Sequence, residues 1–224
     1  MQTINSIISI FYREYKITFG NIYDLVNIIL FFLLGIIIFI FAIGINEEIL
    51  ENVSVGVIWS LLLISSIFSI KRFYHDDFED GNIFLFRLSG LSYELIVLIK
   101  LIAIWFFFQL PFIVIIPIAC IILKVSLTNS YLVLITFLIS SPILTSISSI
   151  SGSMNLLSNR NFAIGSVMVM ILSIPLIIFS VGIINAPNDL IKPQLSILTG
   201  ILFFFLAITP WICGACIKEA MRNK

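Results

Sequence analysis

The chain has 224 residues, 60% of them apolar and 11% charged, with twelve basic and twelve acidic side chains and no net charge. Soluble domains are about a quarter charged and just under half apolar, so a mean hydropathy of +1.19 excludes an ordinary soluble fold and points to an integral membrane protein. Neutrality gives no bulk attraction to nucleic acid, and the lack of a long hydrophilic stretch leaves no soluble domain of useful size.

In chain order, residues 4–19 are too polar to span a bilayer. Ile4, Ile7, Ile8, Phe11 and Tyr15 recur at helical spacing, which predicts an amphipathic helix on the cytoplasmic interface with Arg13 and Lys16 toward headgroups. The stretch does not read as a signal peptide, because Asn5 and Ser6 break its apolar run and the basic residues follow that run. A span needs about 20 apolar residues, and six windows qualify, at 25–45, 54–70, 95–123, 131–151, 162–184 and 195–217. The third is long enough to tilt or to extend beyond the membrane. Pro111 and Pro117 are placed to bend it, Pro142 to bend the fourth and Pro175 the fifth. Short connections favour antiparallel neighbours in one all-α transmembrane domain.

With six spans both termini share a side with the 71–94 and 152–161 connections. That side holds Arg13, Lys16, Lys71, Arg72, Arg87, Lys100, Arg160, Lys218, Arg222 and Lys224, against Lys124 and Lys192 opposite. Ten against two places both termini in the cytoplasm. Glu47, Glu48 and Glu51 fall on the outer side.

The densest polar stretch is Lys71-Arg72-Phe73-Tyr74-His75-Asp76-Asp77-Phe78-Glu79-Asp80-Gly81, in the largest cytoplasmic connection, 71–94. Arg72 and Asp76 are four apart, a spacing that supports a short helix, and Gly81 supplies a stop. Phe73, Tyr74 and Phe78 give it an apolar side. Four acids within five residues repel one another unless something cationic answers them, so the element reads as a docking surface; the plainer reading is a solvated loop. Carboxylates also suit Mg or Ca, but the Asp-x-Asp-x-Asp-Gly spacing of a calcium loop is missing.

Other candidates have plainer readings. Cys213 and Cys216 form a C-x-x-C at the cytoplasmic end of the last span, where two small side chains on one face also serve packing; with Cys120 the cysteine count is odd and gives no disulfide framework. His75, the sole histidine, sits among carboxylates and reads as solvated. Glu94 and Lys100 are the only candidates for membrane-buried charge, both near the cytoplasmic end of the third span, from which Lys100 can snorkel to the interface. The fourth span carries Ser140, Ser141, Thr145, Ser146, Ser148, Ser149, Ser151, Gly152 and Ser153, residues that permit close helix approach or line a path. No phosphate loop, nucleophile elbow or H-E-x-x-H motif is present. The chain therefore reads as no enzyme, and ATP, if used, is bound by another polypeptide.

An interfacial helix, six spans and a helical polar connection between the second and third resemble an ABC-2-type permease. More closely, Val55-Gly56-Val57-Ile58-Trp59, the run Arg72 to Gly81 with its D-D-F-E-D-G string, and Lys100, Trp105 and Pro111 resemble the CcmB family, across essentially the whole chain. The chain departs from that pattern at Val55, where proline is common, and at the apolar Asn82-Ile83-Phe84-Leu85-Phe86. The resemblance implies the membrane subunit of a haem-exporter-type ABC complex of cytochrome c maturation, multi-pass in an inner membrane of a bacterium or mitochondrion. It implies a cytoplasmic ATPase (CcmA-like) that holds the ATP, membrane haem-handling subunits (CcmC-like and CcmD-like) and a periplasmic haem chaperone (CcmE-like), with no cofactor of its own and with two roles open: transfer of haem as cargo, or release of the loaded chaperone. The ATPase-coupling interface it implies is Arg72, Phe73, Asp76, Asp77, Phe78, Glu79, Asp80 and Gly81. The alternatives are a permease for lipid, polysaccharide or drug, and an assembly scaffold that needs no ATPase.

Overall fold

The computed structural model describes residues 2–20, 22–44, 47–68, 70–157 and 162–223. Ile45, Arg160 and Lys224 of the readings above lie outside the described residues, as do the side chains of Ile4, Asn5, Glu47, Glu48, Glu51, Lys71, Arg72 and Phe162.

All described elements are helices: α1 (Gln2–Gly20), α2 (Ile22–Ile43), α3 (Glu47–Ile67), α4 (Ile70–Glu79), α5 (Asn82–Leu88), α6 (Tyr93–Ile104), α7 (Phe112–Ile122), α8 (Leu127–Leu157), α9 (Phe162–Ile184) and α10 (Asn188–Arg222). A π-helical turn, Trp105–Gln109, joins α6 to α7. Hydrocarbon offers no partner to a bare backbone N–H or C=O, so a helix is the natural way for a single segment to cross it. Five segments among the described residues are long and apolar enough to do so: α2, α6 through α7, α8, the Gly165–Ile184 part of α9, and α10. The apolar part of α3, Asn52–Ile67, is shorter.

The helices outrun the windows read from hydropathy. The fourth window, 131–151, becomes a helix from Leu127 to Leu157, and the sixth, 195–217, one from Asn188 to Arg222. Hydroxyl side chains make this possible by bonding back to their own helix. In the stretches that lengthen α8, Ser130 and Ser153 donate to the carbonyls of Ser126 and Ile150 at 2.9 and 2.8 Å, so their polarity does not need water. The third window carries a π turn within one continuous span, Tyr93–Ile122. Leu110 N–H reaches back five residues to the Trp105 carbonyl at 3.2 Å, and Pro111, which has no N–H, begins the next segment.

Helix α8 is the hub. It packs against α3, α4, α6, α7, α9 and α10, and its run of small residues from Ser140 to Ser153 is buried. Small side chains let neighbouring backbones approach, and their hydroxyls then bond within the protein. Ser140 and Ser180 are 3.0 Å apart across α8 and α9, and the Trp105 indole donates to Ser141 Oγ at 3.0 Å. At Gly165 the approach to α8 leaves no room for a Cβ, which would collide with Ser151 and Asn155. The stripe is therefore a packing surface along its buried length. By contrast α2 and much of α10 turn large apolar side chains outward, including Phe41, Phe203 and Trp211, as helices facing lipid do.

Two expectations change. The 71–94 connection holds two helices, α4 and α5, hinged at Gly81 with φ 75°, a backbone geometry that suits glycine. Its apolar stretch Asn82 to Phe86 folds as α5, burying Ile83 and leaving Phe84, Leu85 and Leu88 exposed. The second change concerns α1, whose inner side is partly polar, although Ile7 and Phe11 also pack against the core. Ile10, Glu14 and Thr18 are buried, whereas Ile8, Tyr12, Tyr15 and Phe19 are exposed. Arg13 also faces the protein instead of headgroups, while Lys16 is exposed as expected.

Candidate functional site

Helix α4 has two faces, set by the helical repeat. Phe73, Tyr74, Asp77 and Phe78 recur at one- and three-residue steps, the spacing of a single helical stripe, and all four are buried. Asp76, Glu79 and Asp80 fall on the opposite side and are exposed. His75 is half-buried between the faces, and Gly81 forms the turn into α5. Of the residues that the sequence groups as a coupling interface, the structure thus brings Asp76, Glu79 and Asp80 to one exposed edge. It places Phe73, Asp77 and Phe78 inside.

The inner face carries the polar chemistry. Tyr74 is fully buried against α8, with its hydroxyl 2.7 Å from Ser149 Oγ. Burial pushes its phenol well above the usual range, so Tyr74 is a neutral hydrogen-bonding group at any physiological pH. Ser149 in turn lies 3.4 Å from Cys213 Sγ. Cys213 is buried and Cys216 half-buried, both as free thiols. The C-x-x-C thus sits in the packed seam between α8 and α10.

Asp77 is the only acid on the apolar stripe of α4, and Lys100 of α6 answers it. The Lys100 ammonium is 1% exposed and bonds Asp77 Oδ2 at 2.5 Å and Glu14 Oε1 of α1 at 2.9 Å. Arg13, beside Glu14, bonds Glu14 Oε1 at 3.2 Å and also contacts Asp77 Oδ1. Asn82 at the start of α5 donates to the same Asp77 oxygen at 3.3 Å. Burial by itself would raise the Asp77 pKa, but the Lys100 ammonium and the hydrogen bonds from Lys100 and Arg13 hold it below the ordinary carboxylate value. Two cations and two anions from α1, α4 and α6 therefore close a neutral buried cluster. Lys100 does not snorkel; its charge is compensated in place.

The sequence reading missed Glu14 altogether and misplaced Arg13, Asp77 and Lys100. A signal was present in each case. Ile10, Glu14 and Thr18 share a helical stripe, and a lysine inside a span requires anions nearby. Among the described residues no group of three or more His, Cys, Asp or Glu is arranged to hold a metal ion.

A family model described as CcmB protein matches residues 5–220. The chain belongs to the CcmB family. Within that family it is similar to Heme exporter protein B of Haemophilus influenzae, 27% identical over 213 residues that cover 94% of this chain and 96% of that protein. It is also similar to Heme exporter protein B of Pseudomonas aeruginosa, 25% identical over 92% of this chain and 93% of that protein. The protein of that name from Bradyrhizobium diazoefficiens is 28% identical over 86% of this chain and 88% of that protein. Val57, Ile58 and Trp59, which carry part of the resemblance, are buried in α3 together with Val55, and Lys100 is the centre of the charge cluster.

Proposed function

We propose that this chain is the non-catalytic permease subunit of an ABC complex that exports or delivers haem across an inner membrane for c-type cytochrome assembly. The observation that carries the reading is the family match over residues 5–220 together with near full-length similarity to haem exporter proteins. Haem is the cargo, and a CcmA-like ATPase supplies ATP hydrolysis. CcmC-like and CcmD-like membrane subunits and a CcmE-like chaperone complete the path.

In this reading α3 is the second of six spans, its short apolar part, Asn52–Ile67, extended by the preceding turns of the same helix. Six spans return the chain to its starting side, and the ten-to-two distribution of Lys and Arg makes that side the cytoplasm. Helix α4 is then a coupling helix at the cytoplasmic surface. Its exposed edge of Asp76, Glu79 and Asp80 suits a basic groove on the ATPase, while Phe73 and Phe78 anchor it to the membrane domain from within. Arg72 and Gly81 flank the contact.

Charge reversal tests this docking. Asp76→Lys with Asp80→Lys leaves the buried stripe untouched, so the protein still accumulates in the membrane. The ATPase subunit no longer copurifies in mild detergent, and cytochrome c yield collapses. Undiminished copurification and yield would refute the contact. A haem spectrum of the wild-type complex, set beside transport assays with lipid or drug substrates, separates the haem pathway from an ABC-2 permease for other cargo.

A further inference from the structure

The cluster of Arg13, Glu14, Asp77 and Lys100 joins three elements that the chain keeps far apart. The Lys100–Glu14 bond closes 86 residues and the Arg13–Asp77 bond 64. Lys100 is shared, with one buried ammonium holding a carboxylate of α4 and a carboxylate of α1 at once. Helix α1 grips the third span a second time, beyond the end of α6. Phe11, Tyr15 and Phe19 surround the ring of Phe107, with centroids 5.4, 5.7 and 6.1 Å away. Lys100 and Phe107 are seven positions apart, about two helical turns, so both grips fall on one stripe of the third span.

Phe107 lies inside the π turn Trp105–Gln109. Such a turn inserts a residue into the helical ladder, and π turns often sit at functional positions. Here it separates α6 from α7, and Pro111 removes a backbone donor just beyond it. The Trp105 indole, bonded to Ser141, ties the joint to α8. The cytoplasmic part of the third span is therefore jointed where α1 grips it, and Lys100 links that part to the helix proposed to meet the ATPase.

We propose that Lys100 and Glu14 are coupling residues: the buried cluster passes a displacement of α4 to α1 and α6 together, and the π turn lets α6 move without carrying α7. This rests on the reading of α4 as the ATPase-docking helix. A buried pair of opposite charges suits the task because it resists separation. Parting one member from its partner leaves an uncompensated charge in a dry site, so the helices that carry the pair move as one.

The test uses the assembled complex in cells and in detergent. Lys100→Met with Glu14→Gln removes one charge of each sign and leaves Arg13 paired with Asp77, so no charge is stranded. The ATPase subunit is expected to copurify at the wild-type ratio and to keep hydrolysing ATP, while cytochrome c yield falls at least tenfold. Lys100→Arg keeps the cation and is expected to restore most of the yield. Wild-type yield from the double variant overturns the inference while leaving the docking reading intact. Loss of the ATPase subunit from the double variant overturns it too, since the cluster would then merely shape the docking face. If Asp76→Lys with Asp80→Lys fails to release the ATPase, it is the docking reading that falls. Should the double variant not accumulate, Glu14→Gln alone carries the test, with an expected yield loss of severalfold and an unchanged yield overturning the proposal.

Discussion

Replacing Lys100 by methionine, a side chain of similar length without charge, leaves two buried carboxylates to share Arg13. Glu14 and Asp77 have side chains only 8% and 7% exposed, and Arg13, at 29%, is the least buried of the four. Breaking a buried pair by deleting one partner costs about 3–5 kcal/mol. For a protein of this size that corresponds to a fall in melting temperature on the order of 10 °C. The loss has a definite pH dependence. In the wild type the Asp77 pKa is depressed, so its contribution is fully present above the unfolded value of about 3.9 and is lost only as the pH falls through the lower folded value. Deleting Lys100 removes the ammonium that holds the Asp77 pKa down while the burial that raises it remains, so the pKa moves up from its wild-type value. The mutant then suffers most at pH 8 and recovers relative to wild type as the pH drops and the carboxyl takes up a proton. Thermal unfolding in detergent between pH 5 and 8, followed by tryptophan fluorescence, measures both effects. A melting temperature within about 2 °C of wild type at neutral pH would refute the argument, as would a deficit that does not shrink on acidification.

Three further outcomes follow from single contacts. Gly165→Ala drives a methyl group into Ser151 and Asn155 and should cost about 1–3 kcal/mol, read as a lower melting temperature; an unchanged value would mean that α8 and α9 part freely. Gly81→Ala places a Cβ on a backbone with φ 75°, a penalty of about 1–2 kcal/mol. It should sharpen proteolysis in the turn between α4 and α5 without affecting insertion. Tyr74→Phe removes the bond to Ser149 and costs about 1 kcal/mol, a small stability change with no alteration of pH dependence across the physiological range.

The spans were legible because a bilayer demands long apolar runs, and the runs around Ile28–Ile43 and Phe203–Ile212 have no soluble explanation. Their ends were not, because hydropathy counts Ser and Thr as polar whereas a helix lets their hydroxyls bond the preceding turn. That is how α8 extends from Leu127 to Leu157. The π turn had no sequence signature; Trp105-Phe106-Phe107-Phe108-Gln109 reads as helix at any period. The identity of the charged element at 71–81 was carried by its unusual string, and the family match over residues 5–220 bears the resemblance out.

The interior of the site was harder to read for a physical reason. Amphipathic patterning assumes that charge seeks water and that apolar surface seeks the protein core. On α1 the second half fails, because Tyr12, Tyr15 and Phe19 stay exposed while Glu14 and Thr18 are buried. The face of α1 that turns toward the protein is then decided by specific partners instead of hydrophobicity. Glu14 turns inward because Lys100 is there, and Lys100 can remain inside a span because Glu14 and Asp77 neutralise it. Neither residue's place follows from its own surroundings in the sequence, since each depends on a partner dozens of positions away. What the sequence does offer is a constraint of closure. A lysine within a span needs anions, and the buried stripes of α1 and α4 hold one acid each, Glu14 and Asp77. Matching stripe acids to span cations selects this cluster from among the chain's twelve acidic residues. The same rule gives charge balance as the condition any working variant of the joint must meet.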